Sequence, residues 1–130
     1  MIVGVGTDLV EIARVAAALE RHEEAFAERI LGAKEMQEFH RRSASNEKNG
    51  IAYLAKRFAA KEAFAKAFGS GISGMVVWHN IEVLNDAQGC PQFQFHGELL
   101  SEMMQRSWQA HVSLTDEKKY AQAFVILEKP

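Results

Sequence analysis

The chain has little that would staple it, bind a soft metal or anchor it in a membrane. One cysteine, Cys90, stands in 130 residues; this excludes an internal disulfide and fits a reducing compartment, so the cytoplasm is the expected location. The five histidines, at 22, 40, 79, 96 and 111, show no zinc spacing, and a transition-metal centre is not expected. Apolar runs are too short for a membrane span. The opening M-I-V-G-V-G-T-D-L-V lacks a basic n-region and is broken by Asp8, so it reads as part of the fold rather than a signal peptide. A formal net charge of −2 excludes a bulk polycation for nucleic acid. The phosphate loop G-x-x-x-x-G-K-[ST] is missing. Residues 69–74, G-S-G-I-S-G, match G-x-G-x-x-G by letter, but they end a helix and precede a strand, which is the reverse of the dinucleotide context.

What is there describes one globular domain over residues 1–130, with 48% hydrophobic and 25% charged residues and no linker, repeat or low-complexity stretch. Residues 2–10 alternate as a strand, with Asp8 near its end on the face of Ile2 and Val10. Residues 12–22 follow as a helix with Ile12, Val15, Ala16 and Leu19 inward, which leaves Arg14 and Arg21 together on one side. Helical patterns continue over 25–31 and 34–42, and the polar run 43–50 reads as a loop. Residues 51–68 then form a long proline-free helix that Gly69 closes. Residues 76–84 read as a strand, 92–96 as a short strand after a turn, and 98–106 as a short helix. Two last strands flank a turn at 116–119, with His111, Ser113 and Thr115 on one face. Helices early and strands late predict an α+β fold: a small antiparallel sheet packed with one long and several short helices.

A carboxylate interrupts the apolar side of the long helix. At about 100° per residue, Ile51, Leu54, Ala55, Phe58 and Ala65 form a stripe with Glu62 near its centre. A second strip, Tyr53, Ala60, Phe64 and Phe68, predicts that the helix is covered on two sides, by its own sheet and by another subunit. An inward anion needs a partner. Spacing leaves three open: Lys66 one turn on, a basic group from elsewhere, or a cation shared with a second carboxylate. Asp8, an acid in an apolar strand, poses the same question. Mg²⁺ would answer both, because it commonly takes one or two carboxylates plus substrate phosphate oxygens. Arg57, Lys61, Lys66 and His111 are then candidates to neutralise a polyphosphate.

Three stretches carry a resemblance: Gly6-Thr7-Asp8-Leu9-Val10-Glu11-Ile12, Lys56-Arg57-Phe58-Ala59-Ala60-Lys61-Glu62-Ala63, and His111-Val112-Ser113-Leu114-Thr115. In order and spacing, over essentially the whole chain, they resemble the holo-[acyl-carrier-protein] synthases, the short bacterial type of 4′-phosphopantetheinyl transferase. The resemblance implies that fold, and transfer of the phosphopantetheine arm of coenzyme A to a serine of apo acyl carrier protein, with release of adenosine 3′,5′-bisphosphate, for fatty acid biosynthesis. It implies Mg²⁺ held by Asp8 and Glu62, and a homotrimer with active sites between neighbouring subunits. Lys66 is then expected at the pyrophosphate, Arg57, Lys61, His111 and Ser113 at coenzyme A, and Gly69 and Gly71 in the nucleotide loop. Arg14 and Arg21 are expected to dock the acidic carrier. The proton acceptor for the serine stays open between Glu62 and water on the metal beside Asp8. Three positions depart from the family pattern: Ser70 within Gly69-Ser70-Gly71, Cys90 before Pro91, and Asp116. Two other readings are a Mg²⁺-dependent nucleotide pyrophosphatase and a non-catalytic module that binds coenzyme A or a carrier protein.

Overall fold

A computed structural model describes all 130 residues. Strand β1 (Ile2–Glu11) leads directly into α1 (Ile12–His22), and α2 (Glu24–Ile30) and α3 (Ala33–Ser45) follow. The long helix α4 (Glu47–Phe68) comes next, then a 3-10 turn at Trp78–Asn80, the hairpin β2 (Ile81–Asn85) and β3 (Pro91–Phe95), helix α5 (Gly97–Arg106), and a second hairpin, β4 (Gln109–Asp116) and β5 (Tyr120–Glu128). The predicted α+β class is what the chain adopts. A three-stranded antiparallel sheet has the order β1-β5-β4, and β2-β3 form a separate two-stranded sheet.

Two local expectations differ. The polar run 43–50 is mostly helical: Asn46 alone breaks the path between α3 and α4, and its side chain accepts from the backbone N–H of Lys48 at 2.8 Å as an N-cap. The strand expected over 76–84 starts only at Ile81, because Trp78–Asn80 turn as a 3-10 helix.

Helix α4 is the axis of the molecule. Ala55, Ala59, Ala60, Ala63, Ala65 and Ala67 are all buried along it, so that neighbouring backbones approach closely on two sides. On one side lies the sheet, where Gly4 and Gly6 permit contact that no side chain would. A Cβ on Gly6 would stand 2.0 Å from the carbonyl oxygen of Ala63, and one on Gly4 would stand 2.2 Å from that of Ala67. One core fills this interface with Phe64, Leu99, Val125 and Leu127. A second, built on Val15, Ile30, Phe39 and Leu54, ties α1, α2 and α3 to the first half of α4. Helix α4 is covered on two sides as expected, but the second cover is α1, α2 and α3 of the same chain rather than another subunit.

Candidate active site

The close contact of β1 with α4 brings two carboxylates together. Asp8 faces inward on β1, across from the wholly buried Ala123 of β5, and Glu62 projects from α4. The turn-to-turn pair Glu62–Lys66, one of the three partners that spacing left open, is not formed. Lys66 instead reaches the strand, its Nζ lying 3.2 Å from Asp8 Oδ1 and 3.0 Å from the carbonyl oxygen of Thr7. Burial raises the carboxyl pKa of Asp8 above its ordinary value, and the hydrogen bond and charge of Lys66 offset only part of this. Burial and then the neighbouring charge of Asp8 raise that of Glu62, against the pull of Lys66. Two anions thus share one exposed ammonium, and Asp8 Oδ2 is buried with no hydrogen-bond partner at all.

That orphaned oxygen tests whether Mg²⁺ fits. A hard divalent cation satisfies carboxylate oxygens and relieves their repulsion, and the donor set is all oxygen. No third carboxylate, histidine or cysteine joins the pair. Substrate phosphates and water would complete the coordination, as Mg²⁺ sites on phosphate substrates commonly allow. The residues fit the ion.

The structure brings together only part of the expected set. Lys61, expected at the substrate, points into the protein: it has no exposed surface, and its Nζ donates to Glu35 Oε1 at 2.6 Å and to the carbonyl oxygens of Ile30 and Trp78. Glu35 and Glu82 extend this buried network. Glu35 accepts from the N–H of Val83, and Glu82 accepts from the N–H groups of Lys34 and Glu35 at the start of α3. Lys61 is therefore a clamp between α4, α2 and α3, closed to any ligand. No spacing rule signals a partner 26 residues away in sequence.

Arg57 also turns away from Glu62. It is buried against Tyr53, with Nε on the carbonyl oxygen of Val83 and Nη2 on Asn85. His111 and Ser113 lie on the outer face of the sheet, opposite to Asp8, and His111 Nε2 meets Glu128 Oε1 at 2.7 Å. Gly69 and Gly71 take positive φ of 97° and 66° and form the loop after α4, but both their N–H groups donate to the carbonyl oxygen of Ala65. What that loop offers is open space, since a Cβ at either glycine would meet nothing within 4 Å. Arg14 and Arg21 are exposed on α1, and neither has an ion-pair partner. Of the departures, Cys90 is exposed in the β2–β3 turn, and Asp116 lies 3.5 Å from Lys56 Nζ, tying the β4–β5 hairpin to α4. That hairpin, α1 and the first turns of α4 enclose a cleft of about 840 Å³ whose lining includes neither Asp8 nor Glu62.

Comparison with known proteins gives one answer. The profile of the 4′-phosphopantetheinyl transferase superfamily matches residues 4–125. The holo-[acyl-carrier-protein] synthase of Leptothrix cholodnii is 50% identical over 128 residues, which is 98% of this chain and 97% of that protein. Among solved structures, holo-[acyl-carrier-protein] synthase from Neisseria meningitidis superposes with a TM-score of 0.91 at 41% identity, covering 99% of this chain and all of that one. The Bacillus anthracis synthase, solved in complex with CoA (3′,5′-ADP), superposes with a TM-score of 0.81 at 35% identity, covering 100% of this chain and 99% of that one.

Proposed function

We propose a mechanism from the premise that the chain belongs to the 4′-phosphopantetheinyl transferase superfamily, as a holo-[acyl-carrier-protein] synthase. It transfers phosphopantetheine from coenzyme A to a serine of apo acyl carrier protein. The observation that carries the mechanism is the pair Asp8 and Glu62, with its orphaned buried oxygen, beside Lys66.

The serine Oγ attacks the phosphorus that bears the pantetheine arm, the bond to the bridging oxygen breaks, and adenosine 3′,5′-bisphosphate departs. Charge builds on the departing phosphate, so the site must hold the pyrophosphate, offset that charge and aim the hydroxyl. Mg²⁺ bound by Asp8 and Glu62 would supply Lewis acidity and orientation. Lys66, whose side chain is 55% exposed, is near enough to exchange its bond with Asp8 for one to a pyrophosphate oxygen. The serine proton passes to Glu62 or to water beside Asp8. The open Gly69–Gly71 loop gives the nucleotide close approach to the backbone.

What one chain leaves uncovered supports a homotrimer. Val5 (54% exposed), Leu9 (61%) and Phe124 (44%) line the outer face of the sheet beside His111 and Ser113. An apolar face of that kind is the mark of an interface. With His111 and Ser113 on the opposite face of the sheet from Asp8, a neighbouring subunit is the means by which the two sets meet across one coenzyme A. Arg14 and Arg21, exposed and unpaired, suit the acidic carrier through long-range attraction. No helix is long and apolar enough to cross a membrane, and we place the enzyme in the cytoplasm, where its substrates are made. The test is product analysis: adenosine 3′,5′-bisphosphate should form only when coenzyme A, apo carrier and Mg²⁺ are all present. Release of free phosphopantetheine without carrier would make the protein a pyrophosphatase instead.

A further inference from the structure

Strand β2 pairs with β3 along one edge only, so the backbone groups of its other edge have no strand to bond. At Val83, in the middle of β2, two side chains take that place. The Val83 N–H donates to Glu35 Oε2 at 2.8 Å, and the Val83 carbonyl oxygen accepts from Arg57 Nε at 3.2 Å. One residue thus joins a buried acid of α3 to a buried guanidinium of α4.

Arg57 is aimed by neutral groups. It is 3% exposed, its Nη2 donates to Asn85 Oδ1 at 2.9 Å, and its guanidinium stands 4.3 Å from the ring centroid of Tyr53. The charge of Glu35 reaches it only through space. Two of its three holds, Val83 and Asn85, belong to β2. Where β2 lies therefore decides where the guanidinium points, and direction matters for arginine because its planar fork binds by geometry as well as charge.

Glu35 is arranged to hold that strand. It is wholly buried in the first turn of α3, and its Oε1 accepts from Lys61 Nζ at 2.6 Å and from the Gly32 N–H at 2.9 Å, which leaves Oε2 for Val83. The carbonyl oxygens of Ile30 and Trp78 fix Lys61 Nζ in turn. A buried ion pair is a weak source of stability, because desolvation cancels much of the attraction. What this one supplies is an immobile oxygen at the edge of β2.

We propose that Glu35, pinned by Lys61, is a positioning residue: it fixes the backbone of β2 at Val83 and, through it, the direction of the Arg57 guanidinium. That Arg57 then meets coenzyme A rests on the transferase reading; the hold on Arg57 does not.

Two double variants separate this role from plain stability. In Glu35→Gln/Lys61→Met both charges go, yet the amide oxygen still accepts from the Val83 N–H and the amide nitrogen donates to a carbonyl that Lys61 leaves. In Glu35→Leu/Lys61→Met the charges and the acceptor go together. Neither strands a buried charge, and Glu82 still ties β2 to the N–H groups at the start of α3, so both should fold. Hydrogen exchange of the Arg57 Nε–H, followed by NMR, reads the hold: it should be slow in wild type and in the first variant, and at least about tenfold faster in the second. Steady-state kinetics read the consequence: KM for coenzyme A should rise about tenfold in the second variant alone, with kcat within about twofold of wild type. A freely exchanging Arg57 Nε–H in wild type overturns the proposal without any variant, as do two variants that exchange alike. Faster exchange in the second variant with an unaltered KM upholds the hold and overturns the contact of Arg57 with coenzyme A, so the two failures are told apart.

Discussion

Glu62 has no partner in its own helix, and that fixes what its replacement does. A carboxylate whose folded pKa is raised contributes stability at low pH that is lost as pH climbs past its ordinary value of 4.5, because ionisation is then disfavoured in the folded state. Asp8 behaves in the same sense from 3.8 upward. Metal-free protein should therefore be less stable at pH 7 than at pH 3 from these two groups, and Glu62→Gln should raise its melting temperature at pH 7 while reducing turnover by at least about a hundredfold. A thermal melt at both pH values, with and without Mg²⁺, checks this: Mg²⁺ should raise the melting temperature of wild type at pH 7 and leave that of Glu62→Gln almost unmoved. Lys61, one residue earlier, behaves oppositely. Lys61→Met strands the buried Glu35 and should cost about 3–5 kcal/mol of stability in a denaturant titration. The two neighbours were not equally legible in the sequence. A carboxylate in an apolar stripe announces itself by periodicity, whereas a lysine that serves a distant glutamate looks like any basic residue beside a catalytic motif.

At the level of elements, the site depends on how closely β1 lies on α4. Gly6→Ala would drive a methyl group into the carbonyl oxygen of Ala63, 2.0 Å from the ideal Cβ position, and the strand must shift. Overpacking of this kind costs about 1–3 kcal/mol, and the shift carries Asp8 away from Glu62. Stability measured by denaturant and Mg²⁺ affinity measured by calorimetry should fall together, and an unaltered Mg²⁺ affinity would mean that the strand does not position the metal. Sequence patterns found most elements to within a few residues, including the α4 C-terminus at Gly69 and the β4–β5 turn. They failed at 43–50, where serine and asparagine read as a loop. A single Asn46 cap suffices to redirect the chain between α3 and α4. They failed again at Trp78–Asn80, where an apolar run reads as strand but tertiary packing winds it into a 3-10 turn. The meeting of Arg42 and Arg57 on the ring of Tyr53 was also hidden, because it joins two helices whose pairing no local pattern specifies.

For the whole molecule, the account requires subunits to meet on the outer face of the sheet and a carrier protein to meet α1. Phe124→Glu places a charge at the centre of that apolar face and should convert the assembly to monomers in sedimentation, with loss of transfer. Arg14→Glu should raise KM for the carrier protein severalfold at low salt and leave KM for coenzyme A unchanged, with the difference shrinking as salt rises. Equal effects on both substrates would remove α1 from docking. The central claim is that Asp8 and Glu62 hold the metal for phosphopantetheine transfer, and intact-mass spectrometry of apo acyl carrier protein incubated with this protein, coenzyme A and Mg²⁺ tests it most directly. The account predicts a gain of one phosphopantetheine mass, abolished by EDTA and by Glu62→Gln; a gain that survives both would contradict it.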